Sequence, residues 1–262
     1  DLFRPILHPV AAATFTDAEG TTYENRFSHW TKPLHERILI LAVDTRYPRT
    51  MFHANESAHW EPFLEDEMLS QAVINHYTYA QTHGYSYKFV VGRPPPGHDP
   101  KWVKVHVVAH YLASHDYDFV VYLDADESIR HMHLPFEWLL NRWNVTRRTS
   151  IVMAMEPVDE ALVPTINAGF FVAQHLPHTK AIMDAWMECT KGELYAGCEK
   201  WKWDGTNEQH VFNEYLRNDY NPDRDNIRII DCGEANGFPY PQWYDPVNCT
   251  GTFIRHHTVV KE

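Results

Sequence analysis

The sequence predicts an α/β chain built on a Rossmann-like sheet flanked by helices. Two observations point there. Short, nearly continuous apolar runs alternate with amphipathic helical stretches, and the first half reads strand–helix–strand–helix–strand. That order implies parallel strands joined by right-handed crossovers, with ligands held beyond the carboxyl ends of the strands.

Residues 1–36 are polar, carry Pro5, Pro9 and Pro33 as breakers, and read as an N-terminal arm or stem; residues 37–262 read as a single domain. The run Arg37–Val43 suits a strand buried on both faces. It ends in the polar loop Asp44-Thr45-Arg46. Residues 65–83 read as a helix, with Met68, Leu69, Ala72, Val73, Tyr77 and Ala80 on one face and Gly84 as its stop. Tyr87–Val91 is a second strand, residues 101–114 a second helix, and Asp118–Leu123 a third strand. Beyond it, 135–143, 177–190 and 207–217 read as helices. Ile151–Met155, Ala168–Ala173, Ile227–Ile230 and Thr252–His256 read as strands, and turns dominate 231–251.

A formal net charge of −12 makes nucleic acid a poor partner, because an acidic surface repels phosphate backbones. Hydrophobic residues make up 44% of the chain, enough for a sizeable core. Cys189, Cys198, Cys232 and Cys249 form no CxxC pair, which argues against structural zinc. Two disulfides suit the even, clustered set, and Cys189–Cys198 with Cys232–Cys249 is the simplest of the possible pairings. The sequons at Asn55, Asn144 and Asn248 add to the case for an oxidising, secretory compartment. No signal peptide or membrane span is visible, and an upstream anchor is compatible with the sequence.

The chemistry concentrates at Asp124-Ala125-Asp126, which ends the apolar strand before it. Residues two apart in an extended chain point the same way, so two carboxylates would converge at the sheet edge. Two such anions call for a cation between them, and oxygen ligands suit Mg²⁺ or Mn²⁺. Glu127 is either a further ligand or an acid in a solvated loop. His131 and His133, or His256 and His257, offer imidazole ligands, which favour Mn²⁺. Lys261 stands close behind the second pair, as a point charge for a phosphate.

From about Arg37 to Lys261 the chain resembles the retaining Golgi glycosyltransferases of family 34, which include fungal α-1,6-mannosyltransferases, α-1,2-galactosyltransferases and plant xyloglucan xylosyltransferases. The matching segments run in order: Ile38–Val43, Trp102-Val103-Lys104, Val121–Asp126, Ile166–Phe171, Asn207-Glu208-Gln209 and Phe253–His256. The resemblance implies a GT-A fold over residues 37–262, a nucleotide-diphosphate sugar donor (GDP-mannose or UDP-galactose), a glycan acceptor, Mn²⁺ and retention of configuration. It implies metal ligands Asp124, Asp126 and His256. It also implies donor contacts from Asp44, Thr45, Lys104, Asp124, Ala125, Gly169 and Lys261, and places Asn167, Glu208 and Gln209 at the transferred sugar. It further implies a Golgi-lumenal ectodomain of a type II membrane protein. The sequence departs from the family at Asn207, where many relatives carry Asp, and at His257-Thr258, which leaves the register of the ligand histidine slightly open between His256 and His257, with His256 preferred. Two other classes share parts of the pattern. One is a metal-dependent phosphohydrolase, which would carry its D-x-D on the first strand. The other is a sugar-binding module that needs no nucleotide.

Overall fold

The structure is a computed structural model that describes residues 7–45, 63–156, 165–205, 207–238 and 249–257. In chain order the elements begin with β1 (Thr14–Thr16), β2 (Thr22–Glu24), β3 (Ile38–Asp44), α1 (Phe63–His83), β4 (Ser86–Val91) and α2 (Val103–Ala113). Next come β5 (Phe119–Leu123), β6 (Glu127–Ile129), α3 (Phe136–Arg142), β7 (Ile151–Met155), β8 (Ile166–Gln174) and α4 (Pro177–Cys189). The series closes with α5 (Glu208–Val211), α6 (Arg217–Asp219), β9 (Ile227–Ile230), β10 (Ala235–Gly237) and β11 (Ile254–His256).

A six-stranded sheet in the order β4-β3-β5-β8-β7-β9 forms the centre. β4, β3 and β5 are parallel, as the strand–helix alternation predicts. β8 runs antiparallel to both β5 and β7, and β9 is parallel to β7, so the whole sheet is mixed. Helices cover both faces. Along β3, Ile38 and Ile40 face a core shared with Tyr79 of α1 and Trp138 of α3, while Leu39 and Leu41 face one shared with Val105 of α2 and Trp186 of α4. The alternation is the two-residue period of a strand buried on both sides.

A second, three-stranded sheet, β10-β11-β6, sits at the ligand edge. It pairs the segment just after Asp126 with the far end of the chain, placing His256 opposite Glu127. The 231–251 region, expected to be turns, supplies β10 to this sheet.

Three local differences from the sequence reading have physical causes. The stretch expected to be an irregular arm holds the β1–β2 hairpin. Its Phe15 and the nearby Trp30 enter the main core, and Trp30 Nε1 donates to the Val145 carbonyl at 2.7 Å. The helix expected over 207–217 is divided, with a π-helical turn at Phe212–Leu216 between α5 and α6. On α1, Leu69, Ala72 and Ala80 are buried as expected, but the buried face is wider and more polar than the periodicity implies. Tyr77 is exposed, while His76, Tyr79 and His83 are buried. Polar side chains satisfy the β6 backbone and the loop after it: Asn75 Nδ2 donates to the Ile129 carbonyl, His76 Nε2 to Glu127 and His83 Nε2 to Met132. A hydrophobic-periodicity rule does not register such partners. Cys189–Cys198 and Cys232–Cys249 are disulfides, the local pairing. No helix among the described residues is long and apolar enough to cross a membrane.

The buried histidines predict acid sensitivity. Burial lowers His76 and His83 from 6.5 to about 4, against the opposing pull of their carbonyl partners. Both groups are neutral in the fold and titrate near their ordinary value when unfolded. As pH falls, the unfolded chain takes up protons first. Their stability contribution is therefore full above about 6.5 and lost progressively toward about 4, at about 1.4 kcal/mol per pH unit for each group. Denaturant unfolding should show a lower midpoint at about pH 5 than at about pH 7.5. His83→Gln should shrink that difference, and equal midpoints in the unmodified protein would contradict the assignment.

Candidate active site

The site is assembled where β5 ends. β3 and β5 lie side by side with Leu41 opposite Tyr122, so Asp44 and Asp124 open on the same edge. Thr45 follows β3 and is half-buried, while Asp44 itself is buried. The two carboxylates of the D-x-D do not point the same way. β5 stops at Leu123, and the Glu127 amide donates to the Asp124 carbonyl at 3.1 Å, which closes a turn. The rule for extended chain therefore fails here, and each acid meets its own partners. Ala125 caps this turn, half-buried between them.

Asp124 faces inward. Its Oδ2 accepts from Lys104 Nζ at 2.9 Å, and its Oδ1 accepts from the Tyr122 hydroxyl. Lys104 has three N–H donors. They meet Asp124 Oδ2, the Ala168 carbonyl at 3.3 Å and Glu208 Oε1 at 3.3 Å. Among the described residues its ammonium is thus committed within the fold, with Asp124 linking it to the motif. Burial opposes the charge on Lys104, but the Asp124 and Glu208 carboxylates outweigh it and hold the ammonium well above its usual range. Burial pushes Glu208 upward, with Lys104 pulling it back.

Asp126 faces the small sheet. Its Oδ2 accepts from His256 Nε2 at 3.2 Å, and its carbonyl accepts from the His257 amide at 2.7 Å. The His256 Nδ1 donates to Asn236 Oδ1 at 3.0 Å and lies 3.5 Å from Glu127 Oε1. His257 turns instead to the Ser128 hydroxyl. Pairing of β11 with β6 thus puts the His256 imidazole, rather than that of His257, beside the Asp126 carboxylate. Burial disfavours a charged His256, yet Glu127 and Asp126 raise it well above its ordinary value. Glu127 is not in a solvated loop. It is buried at 1% exposure with both oxygens lacking a hydrogen-bond partner, and burial pushes its carboxyl up. His131 and His133, the other candidate pair, pack edge-on or tilted against Phe15 in the core.

Sugar-end candidates cluster on β8 and α5. Asn167 Oδ1 accepts from the Gly169 amide at 2.6 Å, and Gln209 Oε1 accepts from the Ala168 amide at 2.9 Å. Gly169 in turn accepts the Asp124 amide at 2.9 Å, which links β8 to the motif. A side chain at Gly169 has no room. A Cβ there would lie 2.8 Å from Glu127 Oε1 and 2.9 Å from Asn167 Oδ1. Gly169→Ala is expected to lower stability by about 1–3 kcal/mol through this overpacking. A thermal melt unchanged from the unmodified protein would show that the neighbours yield freely. Lys261 lies outside the described residues.

Three residues enter the site that sequence reasoning left out. Tyr122 was counted as strand core, Glu156 as a residue past a strand end, and Asn236 as part of a turn. None of the three left a signal in the sequence; the Asn236 backbone is left-handed at φ 67°, a conformation Asn tolerates better than most residues.

The donor set fits a divalent cation by its chemistry. Four acids, Asp124, Asp126, Glu127 and Glu208, face two cations, Lys104 and His256, and the Glu127 oxygens have no hydrogen-bond partner among the described residues. Carboxylate oxygens beside an imidazole nitrogen suit Mg²⁺ or Mn²⁺. Among the described residues, however, no three such groups converge on one point.

Comparison with known proteins follows the same line. A family model described as the galactosyl transferase GMA12/MNN10 family matches residues 50–225. The fold is similar to the crystal structure of a glycosyltransferase involved in the glycosylation of the major capsid of PBCV-1, with 12% identity and a TM-score of 0.59, covering 86% of this chain and 94% of that one. A weaker likeness is to the glycosyltransferase GlyE in Streptococcus pneumoniae TIGR4, with 14% identity and a TM-score of 0.48, covering 85% of this chain and 55% of that one. No curated protein sequence is matched. With the family match spanning well over half of the sequence on a mixed α/β scaffold of GT-A type, the chain belongs to the GMA12/MNN10 galactosyl transferase family, glycosyltransferase family 34, and is a glycosyltransferase.

Proposed function

We propose that the chain transfers a hexose from a nucleotide-diphosphate sugar to a glycan hydroxyl, with Mn²⁺ as cofactor and retention of anomeric configuration. The observation that carries this reading is the meeting of Asp126 and His256 at the carboxyl edge of the sheet, beside Asp124 and the Lys104–Glu208 pair. Asp124, Asp126 and His256 are the proposed ligands. The ion would supply positive charge to the diphosphate as it departs.

The protein's own residues divide the remaining work. Lys104 and Tyr122 hold Asp124 in place. Asp44, Thr45, Ala125 and Gly169 line the proposed donor path, with Lys261 as a phosphate contact. Asn167, Glu208 and Gln209 are assigned to the transferred sugar. The acceptor oxygen forms its bond to C1 on the face that the diphosphate leaves. The C1–O bond to phosphate breaks, and the acceptor proton passes to the departing phosphate oxygen. Gln209 is a poor nucleophile, which favours this single-face route over a covalent intermediate.

GDP-mannose is the first donor proposed, in keeping with the fungal character of the motifs. UDP-galactose is the second, supported by the family's description as galactosyl transferases, and UDP-xylose the third. Two disulfides support a lumenal, secretory setting, and we place the enzyme in the Golgi lumen as the ectodomain of a type II membrane protein. Residues 37–262 are taken as the catalytic unit, preceded by a segment whose Phe15 and Trp30 pack into its core. The test is a panel of nucleotide-sugars assayed for donor hydrolysis with Mn²⁺ and with EDTA. Hydrolysis of one donor that EDTA abolishes is expected. Equal turnover in EDTA, or activity only on a generic phosphomonoester, would overturn the reading.

A further inference from the structure

Glu156 follows β7 directly, and its amide donates to the Thr165 carbonyl at 2.8 Å, tying it to the entry of β8. Its Oε2 accepts from Asn167 Nδ2 at 2.6 Å and from Gln209 Nε2 at 3.2 Å. Neither amide nitrogen makes another hydrogen bond among the described residues. The opposite ends of the same two amides, Asn167 Oδ1 and Gln209 Oε1, accept from the Gly169 and Ala168 backbone. One carboxylate oxygen therefore decides which way both amides face. The other oxygen, Oε1, takes part in no hydrogen bond or ion pair among the described residues, and the side chain is only half-buried.

We propose that Glu156 is the positioning residue of the sugar end of the site, and that its Oε1 accepts a hydroxyl of the donor hexose. This rests on the sugar-transfer reading above. The chemistry favours a neutral, hydroxyl-rich ligand. A carboxylate with no cation beside it among the described residues repels a phosphate, whereas a hydroxyl donor gives it a charge-assisted hydrogen bond. Glu156 thereby separates the two halves of the substrate: it acts on the hexose and leaves the nucleoside diphosphate to the metal edge.

The test uses Glu156→Ala and Glu156→Gln in the full chain. Binding of GDP and UDP with Mn²⁺ is measured by calorimetry, and kcat and KM are measured with GDP-mannose and UDP-galactose. Glu156→Ala should leave nucleoside diphosphate affinity unchanged while kcat/KM for the nucleotide-sugar falls roughly 10–100-fold, the value of a hydrogen bond to a charged group. Glu156→Gln keeps an oxygen that can accept from the two amides and should recover part of that loss. Unchanged kcat/KM in the Ala variant would overturn the proposal. So would a loss of nucleoside diphosphate affinity and melting temperature in step with activity, which marks a merely structural role. If the unmodified protein binds neither nucleotide, the sugar-transfer reading fails first and takes this proposal with it.

Discussion

Asp126→Ala is expected to abolish sugar transfer, lowering turnover by at least about a thousandfold, because several kcal/mol of charge stabilisation at the leaving diphosphate would go with the ligand. The fold should survive the change. The Asp126 side chain is about a third exposed at 32%, and His256 keeps its bond to Asn236. Loss of activity with an unchanged melting curve is therefore the expected pair of results. Mn²⁺-dependent binding of nucleoside diphosphate should disappear in the same variant. Asp124→Ala should match it in activity and additionally leave Lys104 short of a partner. Full turnover in either variant, or full turnover of the unmodified enzyme in EDTA, would remove the basis of the proposed chemistry.

Lys104→Met is expected to be the most destabilising single change in the site. The ammonium is 6% exposed and lies between Asp124 and Glu208, the latter 3% exposed. Methionine fills a similar volume but leaves both acids without their cation. Removing one member of a buried ion pair costs about 3–5 kcal/mol, since the remaining charge stays desolvated. For a chain of this size that is a fall of roughly 10 °C in melting temperature. Glu208→Gln in the same background should restore part of the loss, because it withdraws one of the stranded charges; a double-mutant cycle measures the coupling directly. A melting temperature within about 2 °C of the unmodified protein would show that the triad contributes little. Activity should fall with Lys104→Met as well, through Asp124 rather than through lost contact with the substrate.

Much of the scaffold was legible because its signals are local. The apolar run Ile38–Val43 and the stretch Phe119–Leu123 read as strands buried on both faces, and the helices between them favour parallel pairing. Asp124, at the end of such a strand, had to lie at the ligand edge. The order of short motifs, from Trp102 through Asn207-Glu208-Gln209 to His256, was likewise readable in one dimension.

Three features of the site were not legible. The direction of each D-x-D carboxylate depends on a turn after Leu123 that extended-chain geometry does not contain. The sequence reading already preferred His256 to His257, but the register of β11 against β6 that carries it to the motif pairs residues more than a hundred positions apart. Asn236 and Glu156 carry no motif, and their roles exist only through neighbours brought in from other strands, while the burial of Glu127, read from sequence as either a ligand or a solvated acid, likewise depends on packing. Sequence by itself thus determined the layered α/β plan, the family and the location of the acidic motif, because apolar periodicity and short motifs are properties of contiguous residues. Tertiary structure alone decided which acids are buried and which cation each one meets, because burial and long-range strand pairing are fixed only when distant segments pack together.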